Sequence, residues 1–373
     1  MAAGPGRRGL MRRGLLVAMA ALLLAACGPG EPLRIGFIAE LTGRSADLGE
    51  GARNAMMLVV DEFRAGGQLG RRPVEVLVRD VGADATSARR SAEELVAAGV
   101  EVIVGPMNSG SIDAIQPVTE AAGVLLLSPT ASAVKFHGKD DHLFRLNSTT
   151  RDNGRHYAEH YHARGIRRIA VAVNQNNRAF SESWLEEFRR AYEAVGGRVL
   201  AAPFFDSSAP SYEPVVHELL AGRPDGLIFI ANAVDSARLA QQVHKLRPGM
   251  PMIVAEWGGT SQLIVLGGRA VEGMMLLQNY NQEDDSPRYR AFEQAYRQRF
   301  GKPPAFGSVL AYDAGIAVLT ALARRERGVK VKDALIRFGP YEGLQQEVRF
   351  DANGDASRVA HFMMVKDGRF VRE

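Results

Sequence analysis

Short unbroken apolar runs alternate with longer segments of helical apolar spacing along most of this chain, and that alternation leaves few folds open. Residues 33–39, 74–80, 102–104 and 124–128 read as strands, and 49–64, 84–98 and 111–122 carry apolar residues at helical spacing between them. A strand without polar alternation has both faces covered, and the intervening helices supply the cover. The pattern predicts a parallel sheet with helices on both sides. It then starts again, with strands at 168–173, 199–204, 226–231 and 252–255 and helices over 180–194, 212–221 and 234–246. A strand at 273–280 and helices at 287–300 and 307–325 follow. The tail differs: 348–350, 359–365 and 369–371 read as short antiparallel strands, with a turn at 351–355. No solenoid-length repeat and no long linker interrupts the sequence. Two doubly wound α/β lobes, connected by direct chain crossings, are expected.

The first 26 residues stand apart. Arg7, Arg8, Arg12 and Arg13 precede an apolar run from Leu15 to Ala26, too short for a bilayer core that needs about 20 residues. Leu24-Ala25-Ala26-Cys27 closes the run with small residues ahead of the only cysteine. This is the layout of an export signal, and its end resembles a bacterial lipobox, whose cysteine becomes the lipid-bearing first residue of the exported protein. An ordinary secretory signal is the competing reading, and Met11 would also serve as the start. The expectation is a signal over 1–26, lipidation at Cys27, a tether over 27–32, and a periplasmic or cell-surface protein held to a membrane. The chain has 46 basic and 42 acidic residues, a formal +4, but the signal holds four arginines and no acid. The remainder is balanced, so no nucleic-acid partner is expected. A lone cysteine forms no internal disulfide, and stability must come from buried area.

In open α/β sheets, ligands sit beyond the carboxyl ends of the strands. The loop after 102–104 reads Gly105-Pro106-Met107-Asn108-Ser109-Gly110-Ser111 and opens a helix, whose free N–H groups and positive dipole end favour an anion. The next strand runs into a second hydroxyl-bearing loop, Ser128-Pro129-Thr130-Ala131-Ser132. Asn108, Ser109, Thr130, Ala131 and Ser132 together could hold a carboxylate with neutral donors. Two ordinary helix caps would look the same. In the second half, Glu256-Trp257-Gly258-Gly259-Thr260 follows a strand. Glu256 there suits a ligand ammonium, with Trp257 as an apolar or cation-stacking wall, although a carboxylate near a helix start also complements the dipole. Phe180, Asn232 and Asp235 occupy equivalent strand ends and are secondary candidates.

Enzyme signatures are poor. There is no Gly-x-Ser-x-Gly elbow, Walker loop or His-Glu-x-x-His motif. His156 and His160, with His162 beyond, lack a third metal ligand at convincing spacing and read as a solvated helix face. Asp351, Asn353, Gly354 and Asp355 imitate the start of a calcium loop, but Phe362 stands where its bidentate acid belongs, so a turn is expected. Neither a metal, a cofactor nor catalysis is expected.

Ile35-Gly36-Phe37, Leu41-Thr42-Gly43, Gly49, Gly51, Ala52, Asp80, the 102–106 run, Ser128-Pro129-Thr130-Ala131, Val348-Arg349-Phe350-Asp351 and Asn353-Gly354-Asp355 together resemble the type I periplasmic binding proteins of the branched-chain amino acid class. The resemblance extends over residues 33–373. It implies two Rossmann-like lobes joined by three crossovers, with 33–148 plus 281–345 in one and 149–280 plus 346–373 in the other. It also implies that the lobes close on a small amino-acid-like solute for an ABC importer, whose permease subunits would be the partner. By position, Ser109 matches the hydroxyl that binds the ligand carboxylate, Thr130 and Ser132 match carboxylate and ammonium contacts, and Glu256 matches the acid that pairs with the ammonium. Leu48 and Phe180 stand where tyrosines often line the pocket, and Asn232 replaces another aromatic. Those departures leave a second reading open, a sensory or scaffolding lipoprotein that binds a peptide, metabolite or protein.

Overall fold

The computed structural model describes residues 32–70, 72–82 and 84–373. The expected export signal, Cys27 and all of the expected tether but Pro32 lie outside them.

The first sheet is parallel throughout. Its strands are β1 (Leu33–Ala39), β2 (Val74–Asp80), β3 (Val102–Val104), β4 (Leu125–Ser128) and β5 (Leu143–Arg145), in the order β2-β1-β3-β4-β5. The connecting helices are α1 (Ala46–Ala65), α2 (Ala85–Ala97) and α3 (Ser109–Ala122). Successive strand residues face opposite sides. Phe37, Val104 and Leu127 join the core cluster that includes α1, and Ile38, Ile103 and Leu126 join the one under α2 and α3. Strand order reverses at β1, so the loops leaving β1 and β3 diverge and open a crevice.

The second sheet holds β6 (Arg168–Asn174), β7 (Arg198–Ala201), β8 (Phe204–Phe205), β9 (Gly226–Ile230), β10 (Met252–Val254) and β11 (Met275–Gln278), all parallel. One face is filled by aromatic residues of α4 (Thr150–Ala163) and α5 (Arg178–Ala194): Tyr157, Tyr161, Trp184, Phe188 and Tyr192. The other is covered by Leu219, Leu239 and Val243 of α6 (Glu213–Ala221) and α7 (Ala233–Leu246), with α8 (Ser261–Gly267) beside them. Proline cannot donate to a ladder, and the expected strand 199–204 breaks at Ala202-Pro203 into β7 and β8.

The chain then returns to the first sheet through α9 (Pro287–Phe300), α10 (Phe306–Arg324) and α11 (Val331–Phe338). By length and composition α10 could cross a membrane, but it is a core helix buried against α1. Gly315 permits that approach, since a Cβ there would meet Val59 Cγ1 at 2.4 Å. Next come the paired β12 (Tyr341–Glu342) and β13 (Glu347–Val348). The tail strands β14 (His361–Lys366) and β15 (Arg369–Arg372) run antiparallel on the β11 edge of the second sheet.

The last transfer between sheets comes later than the expected 345/346 boundary. Val348 pairs with Tyr341, and Arg145 of β5 holds Asp355 through Nε at 2.9 Å, so 347–355 stay with the first sheet. Three passages thus connect the sheets, at 146–149, 279–286 and 356–360. They are tied to one another. Asn279 Nδ2 donates to Asn147 Oδ1, Ser148 Oγ donates to the Arg358 carbonyl at 3.1 Å, and Arg358 N–H donates back to Ser148 Oγ at 3.0 Å. Arg358 also pairs with buried Asp313 of α10 at 2.8 Å.

Candidate functional site

The two loops beyond β3 and β4 interlock. Gly105 has φ +110°, and a Cβ there would lie 1.9 Å from the Ile38 carbonyl, so only glycine lets the loop cross the end of β1. Ser128 Oγ donates to the Pro106 carbonyl at 2.6 Å, and Thr130 Oγ1 donates to that of Met107. Ser109 Oγ accepts from the N–H groups of Ser132 and Ala133, both at 3.3 Å. With its lone pairs engaged, the Ser109 hydroxyl has its proton left to donate. Ser132 Oγ is buried and has no partner among the described residues.

The start of α3 departs from expectation. Two of its N–H groups are taken up within the protein: Ser111 N–H is capped by Asn108 Oδ1 at 2.7 Å, and Gly110 N–H donates at 2.9 Å to Asn177 Oδ1, in the loop after β6. Asn108 Nδ2 donates to Glu40 Oε1 at 2.8 Å, and burial pushes the Glu40 carboxyl up to about 7, with Asp80 and Asp47 adding to the rise.

Facing these loops, Glu256 and Trp257 lie in a single 3₁₀ turn after β10. Glu256 is buried. Asn153 Nδ2 of α4 donates to its Oε1 at 2.9 Å, and Trp184 Nε1 of α5 donates to its Oε2 at 3.0 Å. Burial raises the carboxyl pKa and these donors oppose the rise. Among the described residues no cation pairs with it. Trp257 meets Phe180 edge-on, with ring centroids 5.9 Å apart, and its Nε1 is buried without a partner.

A small cavity of about 20 Å³ lies between the two sets of loops. From the first side it is lined by Leu48, Asn108, Ser109, Thr130, Ala131 and Ser132, and from the second by Phe180, Glu256 and Trp257. Met107, Asn147, Asn177 and Phe306 complete the lining. Met107 belongs to the 105–111 loop already singled out, whereas Asn147, Asn177 and Phe306 are brought in by tertiary packing that sequence reasoning did not anticipate. One wall thus offers neutral donors, the other a carboxylate lacking a counter-charge, and apolar side chains lie between. No lining residue is a histidine, lysine or cysteine. A larger open groove of about 810 Å³ lies between α1, α9 and α10. It lacks this convergence of buried, unpartnered polar atoms and is a surface trough.

Asn232 does not line this cavity but an adjoining pocket that shares Asn177 and Trp257 with it. Its side chain caps α7, accepting from Asp235 N–H at 2.9 Å and donating to Asp235 Oδ2 at 2.8 Å. Asp235 also lies outside the cavity, ion-paired at 3.1 Å with Arg44, which follows β1. Among the described residues no cluster of metal-binding side chains occurs. His160 is instead paired with Glu373 at 2.6 Å and stacked on Phe362.

A family profile described as periplasmic binding protein matches residues 32–369. The leucine-, isoleucine-, valine-, threonine- and alanine-binding protein of Pseudomonas aeruginosa is 22% identical over 333 residues, 87% of each chain. A leucine binding protein from Thermotoga maritima superposes with a TM-score of 0.84 at 23% identity, covering 91% of this chain and 97% of that one. An ABC transporter solute binding protein from R. palustris, solved with benzoate, gives a TM-score of 0.83 at 18% identity, covering 91% and 95%. At these identities the structures share the fold, and their ligands differ.

Proposed function

We propose that this chain, which belongs to the periplasmic binding protein family, is the lipid-anchored receptor of an ABC importer and captures a small α-amino acid with an apolar side chain. As a member of that family it is a solute-binding protein rather than an enzyme, and it acts outside the cytoplasm. The observation that carries the ligand class is Glu256, a buried carboxylate with neutral donors but no cation, across a cavity from the hydroxyls of Ser109 and Ser132. A ligand ammonium supplies the missing charge, and its carboxylate takes the opposite wall. An aromatic acid such as benzoate would leave Glu256 buried and uncompensated, which is costly.

The lobes that close are residues 33–148 with 281–355, and 149–280 with 356–373. Closure expels water and completes the site from both sides. Thermal-shift measurements on protein lacking residues 1–26, against the twenty amino acids and simple carboxylic acids, test this reading. A ligand at 100 times its Kd adds about 2.7 kcal/mol. Stabilisation by aromatic acids and by no amino acid would refute it. Anchoring is tested by Cys27→Ala, which is expected to move the exported protein from the detergent phase to the aqueous phase, because two or more acyl chains hold a protein firmly to a membrane.

A further inference from the structure

Asn153 and Trp184 do not line the cavity, and both are fully buried. The one hydrogen bond each side chain makes is to Glu256. Trp184 is wedged between Tyr157 and Phe188, each with its ring centroid 5.1 Å away, so its N–H direction is set by packing. The Asn153 amide oxygen has no partner among the described residues, so its orientation is set by the carboxylate. An indole N–H and an amide buried for packing alone would each cost a lost hydrogen bond. Here both are spent on one carboxylate.

We propose that Asn153 and Trp184 are positioning residues that hold Glu256 ionised and in one rotamer, so that the cavity selects ligands bearing a cationic amine. This rests on the amino-acid reading of the cavity and adds the device that gives it charge selectivity. Two neutral donors stabilise the ionised form against desolvation without neutralising it. An arginine in their place would cancel the charge and remove the selectivity. The titratable group facing Glu256 from α4 is Tyr157, which burial keeps neutral; its hydroxyl donates to the Val254 carbonyl and accepts from Leu277 N–H. From α5 the facing group is Trp184, and no charged side chain pairs with Glu256 among the described residues.

The protein has two tryptophans, Trp184 and Trp257, so ¹⁵N labelling yields two indole N–H resonances, which Trp257→Phe assigns. In ligand-free protein the Trp184 resonance is expected to titrate with pH, and Glu256→Gln should abolish that titration. Asn153→Leu, or Asn153→Ala should the leucine variant not fold, raises the midpoint by about one pH unit, equivalent to the loss of one ordinary hydrogen bond. A midpoint that stays put, or a titration that survives Glu256→Gln, overturns the proposal. Binding of the twenty amino acids separates this from the ligand reading. Wild-type affinity in Glu256→Gln, or no binding by any amino acid, sinks the amine ligand but leaves the indole titration to decide the positioning pair. If an amino acid binds, the Asn153 variant loses affinity below its own raised midpoint, by up to about tenfold, and recovers it at pH values above that midpoint. A loss equal on both sides of that midpoint means that Asn153 only packs.

Discussion

Glu256 and Asp235 are both acids at the carboxyl end of the second sheet, both buried, and set in the turns after neighbouring strands β10 and β9. Their surroundings are opposite in kind. Asp235 receives Asn174 Nδ2 at 3.1 Å, Asn232 Nδ2 at 2.8 Å, the Tyr212 hydroxyl at 2.6 Å and the Ser207 hydroxyl. Arg44 then reaches it from the other side of the cleft at 3.1 Å. Glu256 has two donors and no cation. The lesson concerns what each charge awaits. Asp235 is completed by the protein through Arg44, whereas Glu256, on the proposed function, is completed by the ligand that enters.

The comparison breaks first at Glu256. Glu256→Ala is expected to cost about 2–5 kcal/mol of amino-acid affinity by calorimetry, because it leaves the ligand ammonium desolvated and unpaired. A variant that binds like the wild type would reduce Glu256 to a helix-end charge. Ser109→Ala, across the cavity, should cost about 1–3 kcal/mol, and the circular dichroism of the folded chain should be unchanged. Arg44→Ala probes the other acid. Arg44 is 37% exposed, so its pair resembles a surface one and is worth about 0.5–1 kcal/mol. The apparent Kd should rise up to about fivefold, and X-ray scattering should report a more open ligand-free ensemble. The same rise should appear in the wild type at high salt, which screens the pair. A loss as large as that of Glu256→Ala would erase the distinction between the two acids.

The test at Glu40 reads stability and leaves affinity aside. Burial lifts its folded pKa from 4.5 to about 7, so the folded state keeps a proton that the unfolded chain has already lost. That makes the sign definite: this group's contribution to stability falls as pH rises from about 4.5 through about 7. Glu40→Gln should flatten that part of a Tm-against-pH curve, and an unchanged slope would place the titration elsewhere.

Much of this arrangement is legible before folding is considered. Ser109, Thr130, Ser132 and Glu256 can be found because the rule that places ligands at strand ends needs only the strands, and these strands are unbroken apolar runs. Asn232 shows the limit. It follows β9 as Glu256 follows β10, but its short amide reaches its own helix start and caps it. Strand-end position cannot tell a cap from a contact. Asn153, Trp184 and Asn177 are hidden for another reason: each acts on a residue far along the chain, Asn177 on Gly110 and the other two on Glu256. Short elements such as β5 and α8 carry too few residues to display a period.

The stitching of Asn147, Ser148, Asn279 and Arg358 has a mechanical consequence. A single strand between two bodies swivels as well as bends. Three strands bonded side by side behave as one leaf, stiff to torsion and to sliding but compliant to flexure across its width. In the closure proposed above, such a leaf would guide its two halves along one arc. Arg44 would then meet Asp235, and Asn177 Gly110, on each swing without a search over relative orientations. The accuracy of the cleft is set at the far end of the lever, by side chains that touch neither the ligand nor the latch.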